Sequence, residues 1–296
     1  MSSIIPIRIT DQERDDALFE FVQSSPEPFS VLKHLCPNDA ELAYWYMKKC
    51  EKLVDVGMLS RCRNEWGWYR RRETSLEEMD ILTAVPEPVD LWLPFGLSDM
   101  AEIYPGNIII FAGAKSSGKT CVALNIVKEN RFKWDKVNYF NSEMGASELR
   151  KRVDMFDVPT DAWTTEPVKM FSRYDEFDSA VKPGTNTLNI IDFLEIHDEF
   201  YAIGKAIKAI HDALRESVCV IFLQKNPGND VGLGGWRSIE VARLYLAMEK
   251  GVVKITDAKN WVDPENNPNG KKRDFTIYRG SQINHRNPWY HEKDTE

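Results

Sequence analysis

Residues 107–127 constrain the fold more than any other stretch of this chain. An apolar run, Asn-Ile-Ile-Ile-Phe-Ala at 107–112, reads as a buried strand. It leads into Gly113-Ala-Lys-Ser-Ser-Gly118-Lys119-Thr120, and the helix-forming run Cys121-Val-Ala-Leu-Asn-Ile-Val follows. This is the GxxxxGK[ST] pattern in the strand–loop–helix context it requires. Chance alone produces the bare pattern in roughly one chain in a hundred of this length. The chemistry dictates the residue types. Glycines let the backbone fold tightly enough for successive N–H groups to point inward at phosphate oxygens. The following helix adds its partial positive N-terminal charge. Lys119 neutralises the outer phosphates and the Thr120 hydroxyl helps hold Mg²⁺. Gly113, Ala114, Lys115, Ser116, Ser117, Gly118, Lys119, Thr120 and Cys121 are therefore the expected contacts to the phosphates of ATP.

Beyond this loop, to about residue 285, strand-like apolar runs alternate with helix-like segments, which predicts an α/β fold with a mostly parallel sheet. Three more strand ends carry suitable chemistry. Residues 137–144, Val-Asn-Tyr-Phe-Asn-Ser-Glu-Met, form a strand expected beside the phosphate loop, and the Glu143 carboxylate at its end can polarise an attacking water. Residues 187–192 end in Asp192, which can reach Mg²⁺ through water. Residues 217–224 end in Gln224, whose amide can bond a γ-phosphate and report its loss. Glu195 is a rival base, but Glu143 is preferred because Glu195 comes two strands' worth of sequence later.

Taken in order, Pro105-Gly106 before the first strand, the Ser142-Glu143-Met144 triplet, Ile-Ile-Asp-Phe-Leu-Glu at 190–195 and Leu-Gln-Lys-Asn at 223–226 resemble the core of RecA-type ATPases. The triplet and its following Ser-x-Leu-Arg-Lys-Arg helix resemble the DnaB-like replicative helicases within that group. The resemblance spans roughly residues 90–285. It implies a RecA-like fold with helices on both faces of the sheet, with Lys119, Glu143 (preferred to Glu195 because it sits in this pattern) and Gln224 as catalytic residues and Thr120 and Asp192 on the metal. It also implies a homo-oligomer with ATP between subunits, and contact between the loop at 225–237 and single-stranded DNA. Lys225, Trp236 and Arg237 suit that contact by charge and stacking. The chain departs from the group where a Lys-x-Arg pair reaches the neighbouring subunit's nucleotide. Lys259 is kept but Trp261 stands at the Arg position, so Arg237 or Arg273 is the expected substitute. The stretch after Asp192 is acidic, which is poor for a second DNA-contacting loop.

Residues 1–75 predict a separate small domain of three helices closed by a hairpin, resembling a winged helix. Asp11 is the expected cap of the first helix, and Asn38 followed by Glu41 starts another that Gly57 ends. Lys48, Lys49 and Lys52 on the last helix and Arg61, Arg63, Arg70, Arg71 and Arg72 on the hairpin make the region basic, with Trp66 and Trp68 at the tip. That set suits duplex DNA or a protein partner. Residues 76–98, with three prolines, read as a linker; residues 99–285 form the ATPase domain, and 286–296 a polar tail. The net charge of −8 argues against coating of nucleic acid by the whole surface. Five scattered cysteines without metal-ligand spacing fit a reducing cytoplasm, and no apolar run approaches the ~20 residues that cross a bilayer. The expected function is a DNA-dependent ATPase motor in replication or repair. An ATP-switched DNA-binding regulator and an ATP-organised loader are the alternatives.

Overall fold

The computed structural model describes residues 10–24, 28–62, 66–72, 81–84, 87–195 and 202–291. Arg63, Glu65 and Glu73, and the acidic residues at 196–200, lie outside them. The chain forms two compact units, Met1–Ala84 and Val85–Glu296.

In the first unit, α1 (Asp11–Ser24) is capped by Thr10 rather than Asp11. The Thr10 hydroxyl accepts from Glu13 N at 3.3 Å while Glu13 accepts from Thr10 N at 2.7 Å, the reciprocal box that Thr-x-x-Glu allows. A two-residue strand β1 (Phe29–Ser30) and a five-residue helical turn at Val31–Leu35 follow. The middle helix of the expected three is thus a single turn, ended where Cys36 precedes Pro37, since a residue before proline is driven out of helical backbone. Then α2 (Ala40–Asp55) begins behind Asp39, one residue past Asn38, which accepts from Leu42 N at 2.9 Å. Gly57, at φ +78°, closes it: Met58 N bonds Leu53 O and Gly57 N bonds Val54 O. Strands β2 (Leu59–Arg61) and β3 (Trp68–Arg71) complete an antiparallel sheet in the order β1-β3-β2. Leu18, Val22, Phe29, Tyr46, Cys50, Leu59 and Tyr69 fill the core beneath.

The second unit alternates strands and helices: β4 (Ile108–Gly113), α3 (Lys119–Asn130), β5 (Lys136–Asn141), α4 (Ala146–Val153), β6 (Val168–Ser172), α5 (Phe177–Ala180), β7 (Thr187–Leu194), α6 (Ala202–Leu214) and β8 (Val218–Gln224). Four more strands follow: β9 (Ala242–Glu249), β10 (Val252–Ala258), β11 (Lys272–Tyr278) and β12 (Gln282–His285). They make one sheet in the order β12-β11-β10-β9-β4-β8-β7-β5-β6. From β9 to β6 the pairs are parallel, and from β9 to β12 antiparallel. All six residues of β4 are buried, as a parallel strand covered on both faces requires. One face packs on Val122, Leu124 and Ile126 of α3, the other on Ile203, Ile207 and Ile210 of α6.

Two sequence expectations change here. The stretch 87–98 is not linker but core: Leu91, Leu93, Phe95 and Leu97 are buried with α3 and β11, and Val89 N bonds Ile103 O. Its prolines stop regular structure without stopping burial. Residues 286–291 are not a loose tail: Tyr290 and Lys272 exchange backbone hydrogen bonds, and Trp289 Nε1 donates to Phe95 O at 3.1 Å.

Candidate active site

The strand order decides what meets what. Because β7 and β8 return between β4 and β5, the carboxyl ends of β4, β8, β7 and β5 stand side by side, at Gly113, Gln224, Asp192 and Asn141. Glu143 is therefore not on a strand beside the phosphate-loop strand; two others intervene. A row of strand ends of this kind is where α/β sheets bind ligands.

The loop between β4 and α3 is held tightly. Gly113 has no room for a side chain: a Cβ there would lie 2.6 Å from Lys119 Cγ. Gly118 sits at φ +97°, and a Cβ there would overlap Ile277 of β11. Ser116 also adopts a left-handed backbone, φ +62°. Within this curl Lys119 Nζ donates to Gly113 O at 3.1 Å, Ala114 O at 3.2 Å and Gln224 Oε1 at 3.0 Å. Burial lowers the Lys119 pKa, opposed by the charges of Asp192 and Glu143. Burial likewise lifts the Cys121 thiol to about 12, so it stays a thiol at neutral pH.

A cleft of ≈ 700 Å³ opens at these strand ends. Lys115, Lys119, Thr120, Glu143, Glu195 and Gln224 all line it. The Ser142 hydroxyl stitches its floor, accepting from Phe193 N at 3.0 Å and donating to Phe193 O at 2.8 Å, which sets Glu143 beside the end of β7. The sequence distance that favoured Glu143 over Glu195 loses its force, because β5 and β7 are paired neighbours. Asp192 lies 2% exposed between them and accepts from Tyr139 Oη at 2.7 Å through Oδ2. Its Oδ1 is buried with no hydrogen-bond partner among the described residues. Burial raises the Asp192 pKa, while the Tyr139 hydrogen bond, the neighbouring Thr120 hydroxyl and the Lys119 charge pull it back.

An orphaned carboxylate oxygen near Lys119 and Thr120 is what a divalent cation with phosphate and water ligands leaves for the protein to supply. Among the described residues no cluster of three or more His, Cys, Asp or Glu could hold a metal by itself. Thr120 and Asp192 fit Mg²⁺ on these grounds.

Other expected residues stand elsewhere. Lys225 is not available to DNA: its side chain is 1% exposed, paired with Glu249 and donating to Asn229 O at 2.7 Å. With Leu233 N bonded to Gln224 O, it draws the 225–237 loop closed at its neck. Trp236, 73% exposed, and Arg237 do face solvent. Arg273 is not free to reach a neighbour, since it donates to Phe95 O and Asn287 O and stacks on Trp289. Lys259 is exposed, with Nζ on Glu240 O at 3.0 Å. In the first unit Arg70 and Arg71 are exposed and line one recess with Arg61 and Arg72. Sequence reasoning misses Tyr139, which bonds Asp192, and Arg152, Ile277 and Gly280, which also line the cleft.

Against known proteins, the fold is the point of contact. A solved KaiC-like protein from the hyperthermophilic archaeon Pyrococcus horikoshii OT3 superposes with a TM-score of 0.51 over 68% of this chain and 100% of that one, at 15% identity. The second unit has the RecA-like fold. No protein-family model and no curated protein matches the sequence. No helix among the described residues is long and apolar enough to cross a membrane.

Proposed function

We propose that the chain is an oligomeric, Mg²⁺-dependent ATPase whose turnover is coupled to single-stranded DNA. The observation that carries this reading is the 3.0 Å bond from Lys119 Nζ to Gln224 Oε1. It joins the residue suited to the outer phosphates to the strand end from which the 225–237 loop departs, so exchange of phosphate for amide at Lys119 moves Gln224. ATP would lie along residues 113–121 with its phosphates on the loop N–H groups and Lys119. Thr120 and Asp192 would hold Mg²⁺, which supplies neutralisation of charge on the phosphoryl oxygens. Glu143 takes the proton of the attacking water, and Gln224 releases or regains Lys119 as the γ-phosphate goes.

The exposed Trp236 and Arg237 are the proposed strand contacts on that loop, by stacking and charge. In the first unit the order helix, strand, helical turn, helix, hairpin supports a winged helix, with Arg70, Arg71 and Arg72 exposed beside the wing for duplex phosphates or a protein partner.

A second reading is an ATP-switched DNA-binding regulator or assembly factor. It is favoured by the engagement of Arg273 and the replacement of the second basic residue by Trp261, which leave Arg237 as the proposed finger. Steady-state ATP hydrolysis without DNA, with single strands and with duplex separates the two. Strong stimulation by single strands, lost in Trp236→Ala while DNA-free turnover is kept, supports the motor. Slow turnover indifferent to DNA sinks it and leaves the regulator.

A further inference from the structure

The two oxygens of the Asp192 carboxylate have unlike surroundings. Oδ2 accepts from Tyr139, while Oδ1 is buried and without a partner among the described residues. The nearby cation cannot serve it, because Lys119 Nζ spends its three hydrogens on Gly113 O, Ala114 O and Gln224 Oε1. A buried anionic oxygen left in this way is costly unless something else completes it.

The partner of Oδ2 is set by strand register. Asn141 of β5 stands opposite Asp192 of β7, and Tyr139 lies two residues earlier, on the same face of the pleat. Tyr139 lies diagonal to Asp192 across the parallel β5–β7 pair, a span its long side chain crosses, with the hydroxyl 2.7 Å from Oδ2. Tyr139 is fully buried and packs its ring in the α3-side core, so Phe would fill the same space. Beside a carboxylate the phenol hydroxyl is the donor, and it bonds Oδ2 directly. Hydroxyl groups that fix a ligating carboxylate from behind tune metal affinity although they never touch the metal.

We propose that Tyr139 is a positioning residue that pins Oδ2 of Asp192 and so presents Oδ1 to the divalent cation of the bound nucleotide. This rests on the nucleotide-binding reading above and adds to it how the carboxylate is aimed. A purely architectural tyrosine would instead affect only stability.

The test uses the full chain, Mn²⁺ and a non-hydrolysable ATP analogue. Mn²⁺ affinity of the analogue-loaded protein is followed by electron paramagnetic resonance, and analogue binding in EDTA is measured alongside. In Tyr139→Phe the Mn²⁺ affinity falls roughly 10–100-fold, while metal-free binding of the analogue is unchanged. Equal Mn²⁺ affinity in variant and wild type overturns the proposal and spares the nucleotide reading. Failure of the wild type to bind the analogue overturns both. Should Tyr139→Phe not fold, 3-fluorotyrosine placed at 139 keeps the hydroxyl. Its ¹⁹F resonance shifts when Mg²⁺ is added to the analogue-loaded protein, and a resonance blind to Mg²⁺ overturns the proposal.

Discussion

Lys225 offers the sharpest contrast between a reading by composition and a reading by structure, and Lys225→Met tests it. As a lysine following a strand-end glutamine in a glycine-rich loop it suits a nucleic-acid phosphate, yet its side chain is 1% exposed and paired with Glu249. Met preserves the apolar stem and removes the charge. Breaking a fully buried ion pair costs about 3–5 kcal/mol. Here the abandoned Glu249 side chain is 34% exposed and keeps the Gly228 N–H at 2.9 Å, so water relieves part of that cost. About 2 kcal/mol remains once solvent screening is allowed for. For a unit of this size that lowers the melting temperature by roughly 4–8 °C. Burial raises the Glu249 pKa, but Lys225 and the Gly228 N–H outweigh it and hold the value below the ordinary 4.5. A depressed carboxylate stabilises the fold above its unfolded pKa and loses that contribution as pH falls through the folded value. The destabilisation is therefore full at neutral pH and shrinks below about pH 4.5. Thermal melts at pH 7 and pH 4, with single-strand affinity measured across a salt series, check this. An unchanged melting temperature together with a shallower salt dependence of DNA binding would refute the reasoning and restore Lys225 as a phosphate contact.

Gly118→Ala adds a Cβ that overlaps Ile277 on a backbone at φ +97°; nucleotide affinity falls at least tenfold by equilibrium binding, while the melting temperature drops by a few degrees at most. Glu143→Gln lowers kcat by about 10²–10⁴ with ATP affinity kept, and Glu195→Gln changes it by only a few-fold; the reverse ranking in single-turnover hydrolysis reassigns the base. Arg273→Ala, which removes bonds to Phe95 O and Asn287 O, destabilises by about 1–3 kcal/mol in urea unfolding and leaves hydrolysis per folded subunit unchanged. A loss of turnover in that variant without loss of stability reinstates it as a finger.

Legibility of the site followed the range over which each cause acts. The phosphate loop is contiguous, and its glycines, lysine and threonine declare themselves in eight residues. Glu143, Asp192 and Gln224 are readable because apolar strands end on them, and parallel strands put those ends in one row. Strand order is another matter: nothing in the local pattern says that β7 and β8 intervene between β4 and β5. Tyr139 sits inside an apolar run and gains its role only through the diagonal register with Asp192. Lys225 and Arg273 mislead for a related reason, since what engages them is Glu249 in one case and the main chain at Phe95 and Asn287 in the other. The stretch before β4 did carry a signal: Val89, Leu91, Leu93, Phe95 and Leu97 alternate with period two, and the prolines among them drew attention away from it.

Phosphate release from ATP by the wild-type chain, with Lys119→Ala assayed alongside, tests the central claim most directly. The account predicts Mg²⁺-dependent turnover that falls by about 10³ or more when Lys119 is removed, because its charge is taken out of water and held within the phosphate loop by Gly113, Ala114 and Gln224. Equal release by both proteins, or none above background from the wild type, would contradict it.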